Sequence, residues 1–193
     1  MNLLLDATPE SVVIDGIEYD VNTDYRVFIQ IEQILHNSEM QSRTKVEAWL
    51  RLVYGMIPPN VTAAVEKIMY LYNCGSIPEK KESNSIAKPK EKLLYDFEFD
   101  APYIYAAFMA QYGIDLSEEY LHWWKFLALF KGLTNDNKIV EIMSYRAADP
   151  SEIKDEKERA RIIRLKQIYA IPVTMTHEEK VAQAGAVFGG GLF

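Results

Sequence analysis

Glu119 and His122 stand three residues apart in the run Glu119-Tyr120-Leu121-His122, a spacing that metal chemistry uses. Carboxylate-bridged di-iron bundles draw a Glu-x-x-His from each of two helices and one further glutamate from each of two others. This chain offers one copy, so a metal-dependent enzyme built on Glu119 and His122 would lack half of its ligands. The pair reads instead as part of a polar stripe, Glu118, His122 and Lys125, on an otherwise apolar helix. His177, in His177-Glu178-Glu179, is a lone histidine without ligand spacing. Gly189-Gly190-Gly191 invites a phosphate-cradling reading, but a P-loop continues into Lys-Ser/Thr and a helix, and here Leu192-Phe193 follows. Cys74 has no basic activator beside it and reads as structural. Ser117 and Ser144 lack the glycines of a nucleophile elbow. Asn60-Val61-Thr62 matches a glycosylation pattern but reads as a helix start. No residue is assigned to catalysis, a cofactor or a metal. What remains is a binding expectation: Val187, Phe188, Leu192 and Phe193 are apolar anchors on a polar tether, the form of a docking peptide.

Composition narrows the function classes further. The 193 residues carry a formal net charge of −7, the wrong sign for a surface that clusters Lys and Arg against nucleic-acid phosphates or anionic lipid. One cysteine forbids an intrachain disulfide and fits a reducing compartment. The longest apolar run, Tyr103 to Ala110, is too short to span a bilayer. Met1–Asp6 lacks the basic start of a secretory leader. The expected location is the cytoplasm.

The elements that must position these residues are mostly helical, preceded by one small β-hairpin. Asp15-Gly16 between Val12, Ile14, Ile17, Tyr19 and Val21 is a hairpin signal. Thr23 or Asp24 can cap a helix from Tyr25 that carries Phe28, Ile31, Ile34 and Leu35. A second helix is expected over Thr44 to Tyr54, with Val46, Trp49, Leu50 and Val53 on one face, broken by Pro58-Pro59. A third follows an Asn60 cap, with Val61, Ala64, Val65, Ile68 and Tyr72 aligned. Polar, proline-containing sequence from Gly75 to Lys92 reads as a linker. Asp100 should cap a helix with Pro102 in its first turn, apolar nearly all round and so buried on most sides, ending at Gly113. Ser117 should cap the next, running through Trp123, Trp124, Phe126 and Phe130. These two helices are expected to pair as an aromatic core. The aromatic side chains could instead line a ligand pocket, or an interface, because Trp123 and Trp124 point about 100° apart on a helix. Further helices are expected over Asp136–Arg146 and from Asp149-Pro150-Ser151 to Tyr169, the latter with an Asp155–Arg159 pair at i, i+4. The organisation expected is a hairpin with helices over 1–74, a linker over 75–92, an aromatic-rich helical core over 93–170 and a tail over 171–193, forming one globular unit.

Several of these runs together resemble the bacteriophage gene product fifteen family. The likeness is carried by Ile14-Asp15-Gly16 with Tyr19; by Asn22-Thr23-Asp24-Tyr25-Arg26; and by Tyr95-Asp96-Phe97-Glu98 with Asp100-Ala101-Pro102-Tyr103. It continues in Gln111-Tyr112-Gly113-Ile114-Asp115-Leu116, in Leu121-His122-Trp123-Trp124-Lys125-Phe126 and in Ile142-Met143-Ser144-Tyr145-Arg146. It departs at Leu127-Ala128 and Lys131. The resemblance implies a tail-module protein of phages and prophages: a tail-assembly chaperone that holds the tape measure protein soluble in the host cytoplasm, without catalytic residues. The competing implication is a structural tail or head–tail connector component. The partners implied are proteins, the tape measure or other tail proteins, with a homo-oligomer also open.

Overall fold

The computed structural model describes residues 2–37, 39–76 and 93–172. The elements are β1 (Ser11–Ile14), β2 (Ile17–Asp20), α1 (Tyr25–His36), α2 (Ser42–Tyr54), α3 (Val61–Tyr72), α4 (Ala101–Tyr112), α5 (Trp123–Lys131), α6 (Lys138–Ala147) and α7 (Glu156–Ile168), with a 3-10 turn at Pro150–Glu152. The fold is mostly helical with an N-terminal antiparallel hairpin, as the patterning predicts. The described residues fall into two compact units: those of Met1–Asn84 with Ile114–Gly132, and those of Ser85–Gly113 with Leu133–Phe193.

In the first unit the hairpin pairs Val12 with Tyr19 and Ile14 with Ile17. Asp15 and Gly16 both take positive φ, 50° and 79°, the primed turn whose twist matches the strands. The tip is tied down by Asn60, whose side-chain amide donates to the Asp15 carboxylate at 2.8 Å while its carbonyl oxygen caps α3 through Ala63 N. Asp24, rather than Thr23, caps α1 by accepting from Arg26 N at 2.9 Å. Tyr25, Val27, Phe28 and Ile31 of α1, Trp49, Leu50 and Val53 of α2, and Ala64, Ile68 and Leu71 of α3 are buried. The core closes on α5: Trp123 stacks on Phe28 with ring centroids 5.3 Å apart, and Phe126 stacks on Tyr25 at 4.6 Å.

The expected helix from Ser117 is corrected. The helix starts at Trp123, and residues 119–122 form an extended return preceded by a turn at residues 116–118. Asp115 causes this, because its carboxylate accepts from both the Ser117 backbone N–H (2.8 Å) and the Ser117 hydroxyl (2.6 Å). That local bond competes with helix initiation. Asp24 and His122 then form an antiparallel bridge, with Tyr25 N donating to Leu121 O (2.9 Å) and Trp123 N to Thr23 O (2.8 Å). The loop therefore delivers α5 to α1. Of the two aromatic helices read from the sequence, α4 belongs to the second unit and α5 to the first.

In the second unit α4 packs against α6, and α7 against α6. The expectation that α4 is buried on most sides is also corrected. Ile104, Ala107 and Phe108 are buried, whereas Pro102, Ala106, Met109 and Ala110 face outward. Asp100 makes no side-chain cap to α4, its carboxylate being taken by Arg146. The helix expected from Asp149 to Tyr169 is two pieces, because Asp149 nucleates only the 3-10 turn and Asp155 caps α7 through Glu158 N at 2.8 Å. The Asp155–Arg159 pair does not form. With Asp155 occupied as a cap, Arg159 donates to Ile153 O at 2.9 Å.

Two glycines distinguish backbone strain from crowding. Gly113 ends α4 at φ 67° with open space where a Cβ would stand, whereas at Gly75, φ 79°, a Cβ would lie 3.3 Å from Trp124 Cη2 and 3.4 Å from the Tyr70 hydroxyl. Gly113→Ala should cost about 1 kcal/mol, the left-handed penalty alone. Gly75→Ala should cost about 2–3 kcal/mol, because overpacking adds to the same penalty. Urea midpoints of the two variants check the order, and equal losses would show that the pocket around Trp124 yields.

Candidate functional site

Each unit contains a buried polar cluster. In the first unit the cluster is assembled by the Asp24–His122 bridge. The Arg26 guanidinium binds the Asp24 carboxylate at 2.9 Å, Leu116 O at 2.8 Å and Glu119 O at 3.0 Å. The Tyr25 hydroxyl donates to the same Leu116 carbonyl. Thr23, 2% exposed, shares a 2.9 Å hydroxyl–hydroxyl bond with Tyr120. Asn22-Thr23-Asp24-Tyr25-Arg26 is thus one device that caps α1 and grips the returning loop.

His122 is the N-cap of α5. Its Nδ1 accepts from Trp124 N at 3.1 Å, so Nε2 carries the proton and donates to Pro9 O at 3.2 Å. Both ring nitrogens are spent on backbone. Glu119 Oε1 accepts from Asp115 N at 3.1 Å, so the Glu-x-x-His spacing does not bring two metal ligands together. The polar stripe of Glu118, His122 and Lys125 is not formed either, since Glu118 precedes the helix and His122 is buried.

Burial pushes the His122 pKa below its ordinary value of 6.5, against a smaller opposing effect of the Pro9 bond. The neutral ring is therefore favoured by folding. Its contribution is fully present above about pH 6.5 and is lost as pH falls from there through the folded pKa, because the unfolded chain binds the proton first. Stability should drop with acid in that window, where protonation of Nδ1 also removes the cap. His122→Asn keeps an N-cap acceptor and should flatten that part of the pH profile measured by urea titration. An unchanged slope would assign the acid sensitivity to other groups.

The adjacent tryptophans have a second task. Trp123 Nε1 donates to Tyr72 O at 3.0 Å, and Trp124 Nε1 donates to Leu71 O. These are carbonyls of the last turn of α3, which lack an i+4 helical partner, although Leu71 O also accepts from Cys74 N at 3.2 Å. The divergence of the two side chains thus caps one neighbouring helix end twice, while both rings are buried to 1% exposure. Cys74 follows the Asn73 C-cap, at φ 54°, and burial pushes its thiol up, with the Lys131 charge opposing. That direction disfavours the thiolate, in keeping with a structural cysteine.

In the second unit Asp100, 0% exposed, meets Arg146, 7% exposed. The contact is a two-pronged ion pair, Nη1 to Oδ2 at 2.6 Å and Nη2 to Oδ1 at 2.9 Å. Arg146 also donates to Leu94 O at 2.9 Å and, through Nε, to Tyr169 O at 2.7 Å. Asp100 Oδ2 accepts a further bond from Asp96 N at 2.9 Å. Lys166 closes the end of α6 by donating to Arg146 O (2.9 Å) and Ala148 O (2.6 Å). Around this core Tyr145 and Tyr169 stack at 6.1 Å, with the Lys138 ammonium 5.2 Å from the Tyr169 ring centre. The pair joins residues 46 positions apart, and the sequence reading misses it. Its signal was an arginine next to Tyr145 and four after Ile142, on the face that α6 buries.

Among the described residues no three His, Cys, Asp or Glu side chains cluster as a metal site. Among the same residues no helix is long and apolar enough to cross a membrane. Val187, Phe188, Leu192 and Phe193, the expected partner contacts, lie outside the described residues, as do His177, Gly189–Gly191 and the expected linker from residue 77.

The fold and these clusters define a helical protein whose buried polar groups hold loops and helix ends in place. A family model described as "Bacteriophage Gp15 protein" matches residues 4–171. The chain belongs to that family, and membership makes it a phage protein of the structural and morphogenesis kind. No curated protein and no solved structure matches it.

Proposed function

We infer that this protein is a non-catalytic tail-assembly chaperone that binds the tape measure protein during phage morphogenesis in the host cytoplasm. The observation that carries the reading is the family match across residues 4–171, joined to the tail-module role that the resemblance implies. The surface supports it. Leu4 and Leu5 are 91% and 82% exposed, and Val13, Ile17, Met56, Met69 and Met109 also present apolar side chains outward. Flexible methionines suit a client of variable sequence, and a net charge of −7 keeps such a surface soluble.

Co-expression with the tape measure protein of the same phage tests the reading. The expected result is a larger soluble fraction of the client and a complex that survives gel filtration. Unchanged client solubility with no co-elution overturns it. Stable copies of the chain in purified particles, seen by mass spectrometry, would assign it instead as a structural tail or connector component.

A further inference from the structure

We propose that the open edge of β1 pairs with β1 of a second copy of the chain, joining two hairpins into a four-stranded antiparallel sheet about a two-fold axis at Val12. The ladder alternation decides which main-chain groups are open. Asp15-Gly16 is a two-residue turn, so Ile14 and Ile17 exchange the hydrogen bonds beside it. Val12 and Tyr19 are the next such pair, and Val21 N donates to Glu10 O at 2.9 Å in step with them. The N–H and C=O groups of Ser11 and Val13 therefore point away from β2. Among the described residues the sheet has no third strand, and no main-chain hydrogen bond reaches these groups. Val13 itself is 54% exposed. Such an edge is a template for strand addition.

The charges on the two strands select the edge and the occupant. On β2 the outward main-chain groups belong to Glu18 and Asp20, both exposed. Pairing two copies of β2 about Tyr19 would set Glu18 opposite Asp20 twice, and like charges directly opposite are destabilising. Acidic residues thus guard that edge. The sequence of β1, Ser-Val-Val-Ile, has no charge. The same operation about Val12 sets Ser11 opposite Val13 and Glu10 opposite Ile14, so no like charges face each other. Each of the two Ser11–Val13 pairs exchanges two main-chain hydrogen bonds. The edge is therefore complementary to itself, as a two-fold interface requires. A net charge of −7 opposes contact between copies wherever their acidic surfaces meet, and β1 is the edge of the hairpin where they do not. The contact involves no client, so it stands or falls apart from the tape measure reading.

Sedimentation velocity and residue-resolved amide exchange of the full-length chain, each at low and high protein concentration, test this with an internal reference. In the monomer the amides of Ser11, Val13, Glu18 and Asp20 all point out of the hairpin and should exchange alike. At high concentration a dimer should form, and exchange at Ser11 and Val13 should slow about tenfold, or about 1.4 kcal/mol, with Glu18 and Asp20 unchanged. Val13→Lys places a charge on the edge through a side chain that the fold leaves exposed. It should weaken association about tenfold, with far-UV circular dichroism unchanged. A chain that sediments as a monomer at both concentrations overturns the proposal. So does a dimer in which Ser11 and Val13 gain no protection, or in which Glu18 and Asp20 gain it instead. A dimer of undiminished affinity in the Val13→Lys variant overturns it as well.

Discussion

Arg146→Met should destabilise the protein by about 3–5 kcal/mol, the cost of leaving a buried carboxylate without its counter-charge. Asp100 is fully buried, and its other bond, from Asp96 N, cannot neutralise it. The substitution also strips Leu94 O and Tyr169 O of their donor, so α4, α6 and the segment after α7 lose a common fastening. Asp100→Leu should cost a comparable amount, because the guanidinium is then buried without its anion. The double variant, Asp100→Leu with Arg146→Met, should lose clearly less than the sum of the two, since a buried pair replaced as a whole by apolar side chains costs little. Urea unfolding followed by far-UV circular dichroism measures all four corners of the cycle. Additive losses would mean that the two residues act independently and that the short distances between them carry no coupling.

The second large effect is expected at Trp124. Trp124→Ala should cost about 3–5 kcal/mol, the usual range for deleting a buried aromatic side chain. Trp124→Phe separates two contributions, because it keeps most of the ring but removes the donor to Leu71 O. Trp49 is the control: its indole nitrogen is the buried side-chain polar atom without a partner among the described residues. Trp49→Phe therefore gives up ring volume and no hydrogen bond, and should cost about 1 kcal/mol less than Trp124→Phe. Equal costs would show that the indole bonds to the end of α3 contribute nothing net.

Sequence reading succeeded where a short-range signal had no competitor. Asp15-Gly16 produced the hairpin, Asn60 capped α3, and Gly113 ends α4 in the left-handed conformation, whereas α2 ends at Gly55, ahead of the expected Pro58-Pro59 break. It failed where one polar side chain had two possible tasks. Asp100 reads as a helix cap and is taken by Arg146 instead, while Asp155 reads as a partner of Arg159 and caps α7 instead. Ser117 looks like a cap, but Asp115 two residues earlier takes its N–H. His122 looks like a helical surface residue and is a buried cap. The competing partner in each case comes from tertiary structure or from a local turn that periodicity does not register. The outward stripe of α4 was hidden for a related reason: an apolar helix without a polar face gives no hint of which side the core takes.

The chain enters the first unit, crosses into the second, comes back at Ile114 and departs again after Gly132. On the ribosome this order matters. Of the helices that pack on α1, α2 follows at once but α5 is made about ninety residues later, so the first unit stays open until α5 has emerged. By then Asp100 and all of α4 have been synthesised, while Arg146 has not. Each unit therefore waits, half-built and with apolar surface showing, for a piece encoded beyond a stretch of the other. Nascent chains of this kind are prone to association at intermediate lengths, and a truncation between Gly113 and Ala147 leaves at least one unit without a closing helix.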